Sequence, residues 1–397
     1  MRRAAALLAL FALALAALGG MSARLWPDAA APAETVLVYG DAAALEGAVL
    51  SYSGELAGHV EWSAPAGESA APRWTQDYPF GPSGAPRIFL YIFDPLTGGG
   101  PSAGLQYMGD AVDAAGRKLE GFNELWPLSG PVSGGMQGNG STHHTSAGWA
   151  YTTAEYRDGS GRLLDGSGLP GGGFGLWRIR CYPRETPDTE RWWAKNTPWT
   201  GVFPEPETLE PVLIPEGDWR GLWAKVSWDG REVFACVVNE DMSVRFAVID
   251  AASGAIRQDT ELIDAGTAAE YGDGRFVCFY VCEGGVLVQC GSLLLAMERG
   301  ADGKYAPALA VNTRAELAER FPEYAWADGY APGGAFLREG RLVVLYVRAG
   351  DAVYNPRPLL LAFDSDSLAA CAEITWPYED IDRLEVDINE LLALSEA

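Results

Sequence analysis

His143 and His144 stand side by side in "GGMQGNGSTHHTSAGW", Gly134 to Trp149, and the whole chain holds only 3 histidines. An imidazole pair suits proton transfer near neutral pH or the holding of a transition metal. The spacing fits neither task. Adjacent residues on a strand point to opposite faces, so the two rings would not meet one ion, and the i, i+4 spacing of a helical metal pair is absent. The third histidine, His59, is remote in sequence. Ser141 and Ser146 are close enough along the chain to join a Ser-His-Asp triad, but no G-x-S-x-G elbow presents a nucleophile. These residues therefore predict a solvated glycine-rich loop. On that reading, replacing both histidines by Ala changes stability by no more than about 0.5 kcal/mol. The functional alternative is a ligand-contacting loop formed by His143, His144 and Trp149, because long loops over a rigid scaffold carry function.

A second constellation is "RWWAKNTPW", Arg191 to Trp199. Trp192, Trp193 and Trp199, with two cations among them, offer stacking surfaces for a sugar or a peptide. The structural alternative is that the indoles pack between sheets while the cations reach solvent. "GGGFG", Gly171 to Gly175, is followed by no helical pattern and lacks the lysine of a phosphate loop, which argues against nucleotide binding. A carboxylate pair for glycoside hydrolysis cannot be picked by spacing from 53 acidic residues. No catalytic, metal-binding or cofactor-binding set is assigned.

The elements that must position these residues are strands. Gly (48), Pro (25) and Trp (14) are abundant, and short apolar runs alternate with Gly/Asp/Pro turns from Thr35 to about Tyr378. Three copies of one unit stand out: "DGREVFACVV" from Asp229, "DGRFVCFYVC" from Asp273 and "EGRLVVLYVR" from Glu339. In each, an acid-Gly pair suits a tight turn that needs positive φ, and a nearly continuous apolar run follows. A second apolar strand ends in an acid at Asp250, Glu298 and Asp364. Such runs are buried on both faces, as in sheets packed face to face. Weaker Gly-Arg copies stand at Gly116 and Gly161. "TRAELAERFPEY" reads as a short helix, with Thr313 and Glu316 as a capping box and Pro322 as its stop.

"FAVIDAASGAI", Phe246 to Ile256, resembles the strand-Asp-x-x-Ser/Thr-Gly-strand element of β-propeller repeat proteins of the quinoprotein-like type. The resemblance covers one copy of eleven residues. The tryptophan that follows in quinone-binding repeats is absent, so the resemblance implies a fold and no cofactor. Strand units of roughly 45 residues carry the same implication. The expected fold is all-β: a β-propeller of about six to seven blades. The alternative is two β domains split near 197–219, where "TPWTGVFPEPETLEPVLIPEGDW" has the prolines and acids of a linker.

Arg2 and Arg3 precede the apolar run Ala4 to Gly20, which gives the charged and hydrophobic regions of an export signal. A Met at the third position before the small-residue site at Ala23 makes cleavage there poor. The run falls just short of the roughly 20 residues of a spanning helix. A cleaved signal peptide and a membrane anchor through residues 4–20 therefore both stand. Either one places the rest of the chain outside the cytoplasmic membrane. The expected organisation is a signal or anchor at 1–20, a linker at 21–34, a propeller-like domain at 35–380 and a C-terminal tail with helical potential at 381–397.

The net charge of -24 repels phosphate backbones and anionic headgroups, which argues against nucleic acid as a partner. Six cysteines, none in C-x-x-C spacing, suit neither a disulfide scaffold nor zinc. If "EGG", Glu283 to Gly285, is a three-residue hairpin loop, Cys278 falls opposite Cys290. The functional reading is an exported, non-enzymatic propeller that binds a protein, peptide or glycan at the cell surface. Two rivals are a carbohydrate-active enzyme with paired carboxylates and an extracellular sensor domain of a membrane-bound complex.

Overall fold

The computed structural model describes residues 34–55, 59–65, 71–75, 87–93, 102–113, 118–129, 142–155, 157, 163, 173–185, 199–227, 229–271, 277–282, 285–318, 320–321, 330–338, 340–348, 358–375 and 383–387. The apolar run 4–20, Trp192, Trp193 and the Gly-Arg copies at Gly116, Gly161 and Gly274 lie outside the described residues.

Strand β1 (Glu34–Gly40) leads into a 3-10 turn capped by Asp41, whose carboxylate accepts from the Ala43 amide. The first blade carries β2 (Val49–Glu55), β3 (His59–Pro65) and β4 (Ala71–Thr75). The second carries β5 (Arg87–Phe93), β6 (Ser102–Asp113) and β7 (Lys118–Ser129). The third carries β8 (Thr142–His144), β9 (Trp149–Ala154), β10 (Gly175–Glu185) and β11 (Trp199–Leu213). The start of β11 also pairs with β6, Trp199 with Asp113 and Thr200 with Val112, so these two blades share one seven-stranded sheet.

Two four-stranded meanders follow. The fourth blade is β12 (Trp219–Val226), β13 (Glu232–Asn239), β14 (Val244–Asp250) and β15 (Ile256–Ile263). The fifth is β16 (Val277–Cys282), β17 (Gly285–Cys290), β18 (Leu293–Arg299) and β19 (Tyr305–Asn312). The sixth holds β20 (Tyr330–Arg338), β21 (Arg341–Arg348), β22 (Leu359–Asp364) and β23 (Ser367–Thr375). The chain then returns as β24 (Arg383–Asp387) to pair with β2 in the first blade, while β1 pairs with β23 at the edge of the sixth. The two ends of the chain thus interleave. The fold is an all-β propeller, with six blade-like units among the described residues.

Strand periodicity explains the stacking. Successive residues of a strand face opposite ways. On β13, Val233, Ala235 and Val237 join the core shared with the third blade, while Phe234, Cys236 and Val238 join the core shared with the fifth. On β18, Leu293, Leu295 and Met297 face the fourth blade, while Leu294 and Ala296 face the sixth. This is why those sequence runs are apolar throughout rather than alternating. Phe234 anchors the fourth junction, with its ring 5.9 Å from Phe246 and 5.0 Å edge-on from Tyr305. Each fully buried ring of this kind contributes about 1.5–3 kcal/mol of hydrophobic stabilisation. The outer strand β15 is mostly exposed, and β8, β12, β16, β20 and β24 follow one another along the inner side.

Gly230 and Gly340 take positive φ, 70° and 78°, at the turns read from the repeated acid-Gly pairs. Other expectations need correction. The segment 197–219 is no linker: most of it is β11, paired along β10. Its prolines are tolerated because the pairing is bulged, jumping from Arg178–Glu210 to Arg180–Glu205. Thr208 fastens the bulge, accepting from the Arg180 amide at 2.9 Å and donating to the Glu205 carbonyl at 2.7 Å. The stretch read as a C-terminal tail supplies β24, in which Leu384 and Val386 alternate with charged residues at the period of a strand. The helix expected after Thr313 is one π-helical turn, Arg314–Ala318. Asn312 caps it instead, because the Thr313 hydroxyl donates to the Ser292 carbonyl at 2.9 Å. Helix α1 (Ala265–Tyr271), capped by Asp264, leads into the fifth blade. Finally, the hairpin pairs Cys282 with Gly285, so Cys278 lies opposite Gln289 and Cys290 opposite Val277. The loop is one residue shorter than expected, and that shift puts positions 278 and 290 on opposite faces.

Candidate functional site

His143 and His144 lie on β8, paired opposite Tyr151 and Ala150, and both are half-buried. The solvated-loop expectation is therefore corrected for this pair: backbone pairing to β9 makes both residues part of a strand of the third blade, with side chains half-buried. Burial lowers the His143 pKa from 6.5 to about 4, with Lys225 and His144 adding to the effect. His143 is a neutral imidazole at pH 7.

The turn after β8 is built for docking. The Thr145 hydroxyl donates to the Trp149 carbonyl at 2.9 Å, closing the turn on itself. The Ser146 amide and hydroxyl both donate to the Gly230 carbonyl, at 3.1 and 2.9 Å. A Cβ on Gly230 would stand 2.9 Å from the Ser146 amide nitrogen, so glycine meets both the turn geometry and the close approach of the neighbouring blade. The described part of the loop singled out by its histidines, residues 142–149, forms a clamp between the third and fourth blades.

Trp149 belongs to the same junction. The Arg178 guanidinium lies over its indole at 4.1 Å. Arg178 is buried; its Nε donates to Glu210 at 2.6 Å and its Nη1 to the Ala252 carbonyl at 3.0 Å. Its cross-strand neighbour Tyr151 reaches the Ala251 carbonyl through its hydroxyl at 3.1 Å. Burial raises the Tyr151 pKa, against the opposing influence of Arg178. One indole face is therefore already taken by a cation of the same chain.

A second polar cluster spans the fourth and fifth blades at the same end of the strands. Glu232 is buried; it accepts from the Tyr305 hydroxyl at 2.9 Å and pairs with Arg299 at 3.2 Å and Arg257 at 3.4 Å. Arg257 also pairs with Asp250, which accepts from the Ser253 amide and hydroxyl, each at 2.7 Å. Those bonds from Ser253 hold the Asp250 carboxyl below its ordinary pKa. Burial and the bond to Glu232 push the Tyr305 pKa up. Gln258 and Tyr305 exchange two further bonds, both 2.8 Å, through the Gln258 amide group and the Tyr305 backbone.

The inner strand of the fourth blade is different. Along β12, Trp219, Leu222 and Ala224 are buried, while Trp223 is 40% exposed and Lys225 is exposed. The Trp223 ring lies against Gly221 of its own strand, where a Cβ would come within 2.4 Å of the indole. Of the four tryptophans whose side chains are described, Trp177 and Trp219 are buried and Trp149 is stacked on Arg178. Trp223 is the one open to solvent. The sequence reading missed it, although "GLW" within a strand, a glycine two residues before an aromatic, was the available signal.

Of the other candidate residues, Trp199 begins β11, where it pairs with Asp113 of the second blade. Among the described residues no group of three or more His, Cys, Asp or Glu side chains converges to hold a metal ion. Cys181, Cys236, Cys290 and Cys371 are buried. Among the described residues no helix is long and apolar enough to cross a membrane.

No protein-family model matches the chain, and no curated protein does. Among solved structures the chain is similar to TolB from Acinetobacter baumannii, at 12% identity over 85% of this chain and 66% of that one, with a TM-score of 0.30. It is similar to a putative 6-phosphogluconolactonase from Bacteroides fragilis, at 10% identity over 85% of this chain and 100% of that one, with a TM-score of 0.35. A periplasmic gluconolactonase from Pseudomonas aeruginosa matches at 13% identity over 83% of this chain and 99% of that one, with a TM-score of 0.33. The fold assignment rests on the blades themselves.

Proposed function

We propose that this chain is an exported propeller that binds an extracytoplasmic glycan or peptide on the inner strand of its fourth blade. Arg2, Arg3 and the apolar run to Gly20 support export. The observation that carries the binding reading is the contrast around Trp223. The polar groups at the blade junctions are engaged with one another, whereas this indole faces solvent beside Lys225. An exposed, rigid aromatic on a scaffold is a stacking surface that folding alone does not require.

The test uses cells expressing the full chain, converted to spheroplasts and offered fluorescently labelled neutral and acidic oligosaccharides and peptides. The expected result is surface binding of at least one probe class, removed by external protease and absent in Trp223→Ala cells that hold the same amount of protein. Full protection from protease contradicts export. Equal binding by the Trp223→Ala cells contradicts the site.

A further inference from the structure

We infer that the Trp223 platform takes an acidic sugar, with the pyranose ring on the indole and its carboxylate on Lys225. This rests on the binding reading above and specifies its ligand class.

The register fixes the arrangement. Trp223, Ala224 and Lys225 pair without a bulge against Cys236, Ala235 and Phe234. Residues two apart on a strand share a face about 6.5 Å apart. Trp223 and Lys225 therefore share the face of β12 turned toward the fifth blade, and Ala224 points the other way into the core of the third and fourth. The Lys225 charge is also felt by His143 on the inner strand of the third blade. The nearest inner strand in that direction is β16.

Gly221 sets the posture of the ring. With no Cβ beneath it, the indole folds back along its own strand and is held there while 40% of the residue stays exposed. A preorganised flat surface of this kind costs little further side-chain entropy on binding. Beyond Gly221, the Arg220 Nε donates to the Glu240 carbonyl at 3.0 Å, and among the described residues of β12 Lys225 is the cation two positions from the ring on the same face.

Charge then selects the ligand. In a chain of net charge -24, an acidic polymer is repelled over most of the surface. A local cation next to a stacking face is the feature that would single out an acidic ligand against that background. A uronic acid meets both demands at once: one apolar ring face, and a carboxylate at the ring edge within reach of the lysine arm. A charge-assisted bond of this kind accounts for about tenfold or more in affinity.

The test compares oligogalacturonate with its methyl ester, which keeps the ring and removes the charge, using the full chain and fluorescence titration at fixed salt. The expected result is about tenfold tighter binding of the acid than of the ester, with the acid falling to the ester's affinity in Lys225→Met. Trp223→Ala loses both. Equal affinity for acid and ester, or no effect of Lys225→Met, overturns the acidic-sugar inference while the platform stands. Poly-glutamate binding as tightly as oligogalacturonate, with the same dependence on Lys225, overturns the sugar assignment in favour of an acidic peptide. Binding of neither sugar overturns the inference; if the wider probe panel also fails, the platform falls with it.

Discussion

The two polar junctions of this propeller use the same chemical groups with opposite burial. Between the third and fourth blades the cation is inside: the Arg178 side chain is 11% exposed and that of its partner Glu210 is 48% exposed. Between the fourth and fifth the anion is inside: the Glu232 side chain is 5% exposed, and those of Arg257 and Arg299 are 51% and 47% exposed. A solvated charge that loses its partner returns to water at little cost, whereas a buried one is left uncompensated. Each junction should therefore be most sensitive to loss of its exposed members. The remaining contacts differ as well. Without Glu210, Arg178 keeps a backbone carbonyl and an indole face. Without both arginines, Glu232 keeps the Tyr305 hydroxyl and the other contacts of its backbone strand.

The largest effect is expected from Arg257→Ala with Arg299→Ala. Stranding a buried carboxylate costs about 3–5 kcal/mol. Chemical denaturation should show that loss, while either single variant, leaving one arginine in place, loses far less. Glu210→Ala should cost about 1–2 kcal/mol, since Arg178 is left with a partial set of partners. A loss equal to that of the double arginine variant would erase the distinction between the junctions.

An effect of the same order as that of Glu210→Ala, but dependent on pH, concerns His143 at the edge of the third blade. Its folded pKa, about 4, lies below the ordinary 6.5. Between those values the unfolded chain binds a proton that the folded chain refuses, so stability falls as pH drops from about 6.5 toward 4. Allowing for residual solvent, the swing is about 1–2 kcal/mol. Melting curves of His143→Asn across this range should lose that part of the slope, and an unchanged slope would place the imidazole in water.

The sequence made the blades legible because burial on both faces leaves a continuous apolar run, as in "EVFACVV" and "GVLVQC". Acid-Gly-Arg marked the turns because Gly230 and Gly340 need positive φ. The candidate site was less legible. His143, His144 and Trp149 attracted notice by residue type, yet their positions depend on pairing with β9 and on Arg178, which lies 29 positions beyond Trp149 in the chain. Glu232 looked like any other acid in a turn. Its burial comes from Tyr305 and Arg299 of another blade, a juxtaposition that no local pattern records. The prolines of β11 misled for a related reason, since a bulged strand and a linker share composition.

The account turns on the claim that the buried member of each ion pair sets the cost. The most direct test is to add Glu232→Gln to the Arg257→Ala, Arg299→Ala protein and measure unfolding by denaturant at pH 7. Neutralising the stranded side chain should recover more than about 1 kcal/mol, so that three substitutions leave a more stable protein than two. A triple variant no more stable than the double would show that Glu232 is not held as an uncompensated buried charge, and would contradict the account.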